Sequence, residues 1–404
     1  MTANDDARYT IISADCHAGG SMDQYAEYLD PEFREELAAW RSKYANPWRD
    51  LHGEGKTRNW DTARRFSEQE ADGVVAEVLF PNTVPPFFPT NSVIAPTPTA
   101  KQYPRRLAGI HAHNRWQADW IAEAPARRKG NIQIFLNDIP TAVDDIRHFH
   151  ALGVDGGVLL PGVAPDSGLP PLFAPDYDPV WQVCEELDLT VSHHGGGTGI
   201  PSYGGYGSSM VIFATEVSWW ANRALWHLIW GGVFARFPNL RFVLTETGIG
   251  FVPDALRQMD FYHQEMRRGH LGEIAFEPDQ VLPEKPSDYF RRNCWIGCSF
   301  PGPGEAKVMR QVGIDRVMWG SDYPHHEATY PHSREALRFA FADWTSTELD
   351  QILAGNAAKV YGFDLDALAP IAATAGPTHA ELRVPLGRDE IPADSTCMAF
   401  RRAA

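Results

Sequence analysis

Residues 11–20 read IISADCHAGG. An apolar start leads through small residues to Asp15 and His17 and stops at a glycine pair. This is the pattern of a buried β-strand whose far end carries polar groups. At spacing i, i+2 the two side chains leave a strand on the same side, so both can reach one ion. Related strand ends recur along the chain: LTVSHHGGG at 189–197, RFVLTETG at 241–248 and RVMWGSDYP at 316–324.

Other short β-rich runs fall between them. The full set of expected strands is Tyr9–Ala14, Val74–Phe80, Asn131–Phe135, Gly157–Leu160, Leu189–Ser192, Arg241–Thr245, Cys294–Gly297 and Arg316–Trp319. Stretches of helical periodicity separate them, among them 105–124, 141–152, 178–187 and 305–312. Strands alternating with helices build a parallel sheet, and eight of them close into a (β/α)8 TIM barrel. The barrel is expected over 1–364. A polar insertion at 23–65, after the first strand, is placed over the mouth, and 81–103 reads as a long loop. Residues 365–404 form a C-terminal extension packing on the barrel or on a partner subunit.

In such a barrel the C-terminal strand ends form the active face. Asp15 and His17, His194, Glu246 and Asp322 all fall there. His193 and His194 point to opposite sides of their strand. His194 is taken as the inward one, because the glycines after it leave its side of the mouth open. Carboxylates and imidazoles together suit one divalent metal ion, zinc first, with manganese or iron as alternatives. Asp15, His17, His194 and Asp322 are the expected ligands. Three carboxylates gathered without a cation would repel one another, which also argues for a metal. His325 and His326 follow Asp322 and are expected to contact substrate, as are the aromatic residues Phe80, Trp319 and Tyr330. The pairs His111/His113 and His148/His150 lie in helical stretches, where i and i+2 diverge, and are read as packing residues. Cys16 should face the helical layer.

The net charge of −16 opposes binding to nucleic acid, which needs a basic surface. With 44% hydrophobic and 22% charged residues, the composition is that of a globular protein. Five cysteines without CxxC spacing fit reduced thiols in a cytoplasmic protein. The acidic start, MTANDDARYTII, is not that of a signal peptide. The Trp-rich segment 209–235 carries Glu216, Arg223 and His227, so it is read as a buried or interface helix rather than a membrane span.

With these residues placed, the sequence resembles the amidohydrolase-2 family, in the branch of aminocarboxymuconate-semialdehyde decarboxylase and related aromatic-acid decarboxylases. The carriers are SADCHAG (13–19), DGVVAEVLFPN (72–82), WQVCEELDLTVSHHGGG (181–197), GGVFARFPNLRFVLTETGIGFVP (231–253), VMWGSDYPHHEATYP (317–331) and NAAKVYGFD (356–364). The resemblance implies metal ligands at Asp15 and His17, where the family often has HxH or ExH. It also implies a ligand at His194, and a ligand that handles protons at Asp322. The decarboxylases carry a histidine after the sixth strand, where this chain has Glu246.

That departure makes a metal-dependent hydrolase the first expectation. Its substrate would be a small aromatic or cyclic carbonyl or carboxylate compound. Asp322 and Glu246 would act as bases beside a metal-activated water, with His194 in the catalytic set. The alternative is non-oxidative decarboxylation of an aromatic or unsaturated carboxylic acid. No anion-binding arginine stands near the motifs, and Arg58 and Arg64, in the insertion, are the candidates to supply one. A non-catalytic binding protein on the same fold is the third reading. A homodimer is expected, with no membrane partner.

Overall fold

A computed structural model describes residues 6–42, 44, 52–196 and 199–401. Eight parallel strands run in sequence order around a barrel: β1 (Ile12–Ala18), β2 (Ala76–Pro81), β3 (Arg128–Gln133), β4 (Gly157–Leu159), β5 (Thr190–His194), β6 (Arg241–Thr245), β7 (Cys294–Ser299) and β8 (Val317–Gly320). Each pairs with its successor, as in Ile12 opposite Ala76, Val191 opposite Phe242 and Val317 opposite Ile296. The seam between last and first strands closes through a parallel bridge of Cys16 with Tyr323. There the His17 amide donates to the Tyr323 carbonyl at 2.7 Å.

The expected strands are all present, displaced by a few residues at their ends. β1 shows the largest displacement, because a register shift between Ser13 and Cys16 carries it on to Ala18. Ile12 and Ala14 pack with Val78, Phe80, Val243 and Met318 in one apolar cluster. The irregularity changes which residues face inward, so Asp15 and His17 also turn toward the barrel interior beyond that cluster.

The crossover helices lie outside the strands and include Tyr103–Ala122, Ile139–Ala151, Asp178–Glu186, Ser209–Trp230 and Val252–Arg267. Their starts are set locally. Pro104 and Pro140 occupy the first turns of two of them, and the Asp138 carboxylate accepts from the Thr141 amide. Their inward residues form the main core, where Trp181 and Trp319 are fully buried. A buried ion pair ties the helix Thr62–Asp72 to β2: Arg65 donates to Glu77 through Nε at 2.9 Å and Nη2 at 2.6 Å. Removing one partner of such a pair costs about 3–5 kcal/mol, since the other charge stays buried.

The described part of the 23–65 insertion packs on the side of the barrel and reaches the rim of the mouth at Asn59, which accepts from the Gly19 amide at 3.2 Å and from Asn82 at 2.8 Å. Tyr28 reaches Asp119 at 2.8 Å and Asp30 pairs with Arg115 at 2.9 Å, both on the helix Tyr103–Ala122. None of its described residues lines the central cavity, and 43 and 45–51 lie outside the described residues. Residues 82–102 form part of the mouth instead, through Asn91, Val93 and Ile94. After the barrel, the helix Leu365–Ala375 buries Leu368 and Ala372. The chain then returns to the mouth, where the Thr396 hydroxyl donates to the His326 carbonyl and the Met398 amide to the Glu327 carbonyl. No described helix is long and apolar enough to cross a membrane.

Candidate metal centre

Five strand ends deliver one cluster. Asp15 and His17 come from β1, His194 ends β5, and Glu246 and Asp322 follow β6 and β8. Asp15 Oδ1 lies 3.4 Å from His17 Nε2 and 3.3 Å from His194 Nε2. Asp322 Oδ1 is 3.3 Å from His17 Nε2, and Glu246 Oε2 is 3.6 Å from His194 Nε2. β7 adds Ser299, whose hydroxyl donates to Asp15 Oδ2.

Small residues permit this approach. A Cβ at Gly320 would sit 2.6 Å from that of Asp15, and one at Gly195 would strike the Glu246 carbonyl. Glu246 and Asp322 themselves adopt left-handed backbone, with φ of 53° and 64°. Non-glycine residues pay conformational energy there, and such strain concentrates at functional sites.

The donor atoms fit a divalent cation. Asp15, His17, His194 and Glu246 each offer an atom within 4.8 Å of the others, and His17, Asp322 and His325 form an overlapping group. Two ligands each about 2.1 Å from a tetrahedral ion stand roughly 3.4 Å apart, close to the spacings seen here. His17 Nε2 and Asp322 Oδ2 are buried without a hydrogen-bond partner among the described residues. His17 Nδ1 faces the Pro81 carbonyl at 3.3 Å, and His194 Nδ1 meets the Gly195 carbonyl. Each contact places the proton on Nδ1 and leaves the Nε2 lone pair toward the cluster, as metal-ligating histidines require.

Electrostatics within the cluster diverge. Burial pushes the Asp15 and Asp322 carboxyls up, but the positive charge that the imidazoles beside them carry when protonated more than offsets it and holds both below the usual range. Glu246 goes the other way: burial, then the Asp322 charge, push its carboxyl well up. Its side chain keeps 23% of its surface accessible, on the cavity side.

The cluster opens into a cavity of about 800 Å³. Val93, Ile94, Phe213, Val217 and Phe300 give it an apolar wall facing the imidazoles and carboxylates. That arrangement accepts a small molecule with an apolar body and a polar, metal-binding end.

The expected site residues divide. Asp15, His17, His194, Glu246 and Asp322 are brought together. His325 and His326 line the cavity, with His325 Nδ1 2.7 Å from Asp322 Oδ1 and its Nε2 3.2 Å from Asn82. Phe80 lies in the barrel beneath the histidines, its ring 4.6 Å from that of His194, and is fully buried. It supports the imidazoles and does not line the cavity. Trp319 is a correction: Met318 faces inward, so strand alternation turns Trp319 into the helical layer. Tyr330 is another, packing edge-on against Tyr323 at 5.2 Å with Arg58 over its face. Arg58 and Arg64 both pair with Glu68, at 2.7 and 2.9 Å, and do not line the cavity.

His193 points away from the cluster, its Nδ1 2.8 Å from the Leu160 carbonyl. Ser299, Asn82 and Glu327 were not anticipated. The first two are polar residues at or just past strand ends, which is the signal that could have found them.

The family model for amidohydrolases matches residues 45–363. Solved structures share the fold at low sequence identity. The 5-carboxyvanillate decarboxylase LigW of Sphingomonas paucimobilis is 21% identical over 88% of this chain and 100% of its own, with a TM-score of 0.63. An amidohydrolase of Mycobacterium avium subsp. paratuberculosis is 18% identical over 88% and 100%, with a TM-score of 0.66. A dihydroxybenzoic acid decarboxylase of Polaromonas sp. JS666, solved with bound manganese and 2-nitroresorcinol, is 18% identical over 88% and 97%, with a TM-score of 0.59.

Proposed function

The chain belongs to the amidohydrolase family, and from that premise we propose that it is a metal-dependent carboxy-lyase acting on an aromatic or unsaturated carboxylic acid. The observation that carries the reading is the contact of His325 Nδ1 with Asp322 Oδ1 at 2.7 Å, which sets a cavity-lining imidazole beside an expected metal ligand. It can hold a proton at the place where a substrate carbon would lie. Decarboxylase names among the structural relatives support the same choice.

Asp15, His17, His194 and Asp322 would hold one divalent ion, which supplies positive charge to the substrate's oxygens when bound. Manganese joins zinc as a leading choice, because carboxylate oxygens are prominent in the donor set and manganese is present in three of the related structures. The apolar wall orients the substrate body and excludes water. As the C–C bond to the carboxylate breaks, its electron pair stays on the substrate carbon and CO2 leaves. A proton passing from His325, with Asp322 fixing its ring, then completes the exchange.

A hydrolase is the second reading, favoured by Glu246. Its carboxyl stands by His194 on the cavity side and could orient a water for attack. Incubation of metal-loaded protein with a panel of hydroxybenzoates, and with esters and amides of the same frames, separates the two. Released CO2 with a proton on the vacated carbon supports the lyase. Incorporation of labelled water oxygen without CO2 overturns it in favour of the hydrolase. The exposed Met210, Val211 and Trp219 on the helix Ser209–Trp230 suit a homodimer contact in a cytoplasmic enzyme, which sedimentation would test.

A further inference from the structure

Beside the central cavity lies a narrower chamber of about 40 Å³. Val93 and His194 line both spaces. Its walls are largely apolar, with Phe88, Ile110, Phe135 and Leu159 among them. Of the polar side chains that line it, four hold a buried atom without a hydrogen-bond partner among the described residues: Ser92 Oγ, Arg106 Nε, Gln133 Nε2 and Asn137 Oδ1.

Arg106 is the unusual member. It is 3% exposed. One of its nitrogens donates to the Pro96 carbonyl at 2.7 Å, and its guanidinium carbon lies 4.1 Å from the centre of the Phe88 ring. Arg58, Arg64 and Arg65 each face a glutamate, whereas Arg106 makes no ion pair among the described residues. Burial pulls it down to about 10, with no acidic neighbour opposing the shift. A buried cation with an unpaired N–H is costly, and a ring face compensates it only in part. Water has room to enter a space of this size, but water does not neutralise the charge. Three of the four unpartnered groups can donate: a hydroxyl, a guanidinium N–H and an amide NH2. Donors around one cation in an apolar chamber are complementary to a small planar oxyanion.

We propose that this chamber is an anion subsite in which Arg106, helped by Ser92 and Gln133, holds a carboxylate carried on the apolar body of the substrate. The substrate would then present two oxyanion groups, one at the metal centre and one here. This deepens the proposed function and rests on it for the fate of the bound acid. The binding of an anion in the chamber can be measured apart from it.

Calorimetric titration of the full chain with benzoate, and with neutral benzamide as the control, tests the proposal. Arg106→Met should weaken benzoate binding by about tenfold or more, the effect of losing a charge-assisted hydrogen bond. Arg106→Lys should fall between, and benzamide binding should not follow the charge. A His17→Ala, Asp322→Asn variant, with the metal centre broken, should retain Arg106-dependent benzoate binding. Circular dichroism checks that Arg106→Met is folded. If it is not, Ser92→Ala and Gln133→Leu should each weaken benzoate by a few-fold. Benzoate affinity that is absent in the wild type, or unchanged in these variants, overturns the subsite. Arg106-dependent binding in a protein that decarboxylates nothing would leave the subsite standing and remove the lyase reading.

Discussion

The Asp322 amide donates to the Asp15 carbonyl at 2.9 Å, so the last strand's carboxylate is fixed to the first strand's at the seam of the barrel. His17 lies between their side chains, its Nε2 3.4 Å from one and 3.3 Å from the other. Closing the barrel and bringing this carboxylate–imidazole cluster together are therefore one structural event.

Asp322→Asn keeps the backbone contact and the side-chain shape but loses the negative charge that holds His17 and His325. It should lower kcat/KM by about 10²–10⁴-fold, the usual share of a positioned acid or base. Steady-state kinetics beside an unchanged far-ultraviolet spectrum would check this. A fully active variant would remove Asp322 from the chemistry.

Metal-free protein should melt at a lower temperature than metal-loaded protein. An ion that binds only the folded chain adds about 2.7 kcal/mol at a hundredfold excess over its Kd. In a chain of this length that is a rise in Tm of roughly 3–5 °C. Calorimetric scans of dialysed protein with and without manganese or zinc measure it. The same rise in an Asp15→Ala, His17→Ala variant would place the ion elsewhere.

Glu246→Gly should stabilise the fold while impairing activity. The residue sits at φ 53°, which glycine adopts freely, and its carboxyl lies near Asp15 and Asp322. Relief of backbone strain is worth about 1 kcal/mol. A denaturant midpoint that rises while turnover falls is the expected pair of results. Loss of stability would show that Glu246 contributes more to the fold than to the chemistry.

Asp72 should make stability fall as pH rises. Its carboxylate accepts from the Ser333 amide at 2.9 Å and from the Ser333 hydroxyl, at the start of the helix Ser333–Phe341. Burial nevertheless pushes it up from 3.8 to about 6. The folded chain thus binds this proton more tightly than the unfolded chain. The associated stability is fully present below about pH 3.8 and is lost as pH rises to about 6, an effect on the order of 3 kcal/mol. Urea unfolding across this range, wild type minus Asp72→Asn, isolates the group. A flat difference curve contradicts the assignment.

Much of the site was legible because its residues sit at strand ends, where alternation and barrel order limit where a side chain can go. The i, i+2 spacing put Asp15 and His17 on one side of their strand, and the glycines after His194 favoured it over His193, but only the register shift between Ser13 and Cys16 turned Asp15 and His17 inward. Trp319 and Tyr330 were misplaced for a related reason: nearness to a motif in sequence does not say which face of a strand or loop a large ring takes. Arg58 and Arg64 were candidates for anion binding by residue type alone, and only the structure showed Glu68 between them.

The sequence by itself determined the alternation of strands and helices, the barrel, and the residue types at its mouth, because these depend on periodicity and on chemistry written in single short segments. The tertiary structure decided what depends on long-range closure. It brought Asp15 against Asp322 across 307 residues of chain, turned Glu246 inward through a left-handed backbone, and buried Arg106 in an apolar chamber with no carboxylate partner among the described residues. Such relationships arise from packing between segments far apart in the chain, and no local pattern encodes them.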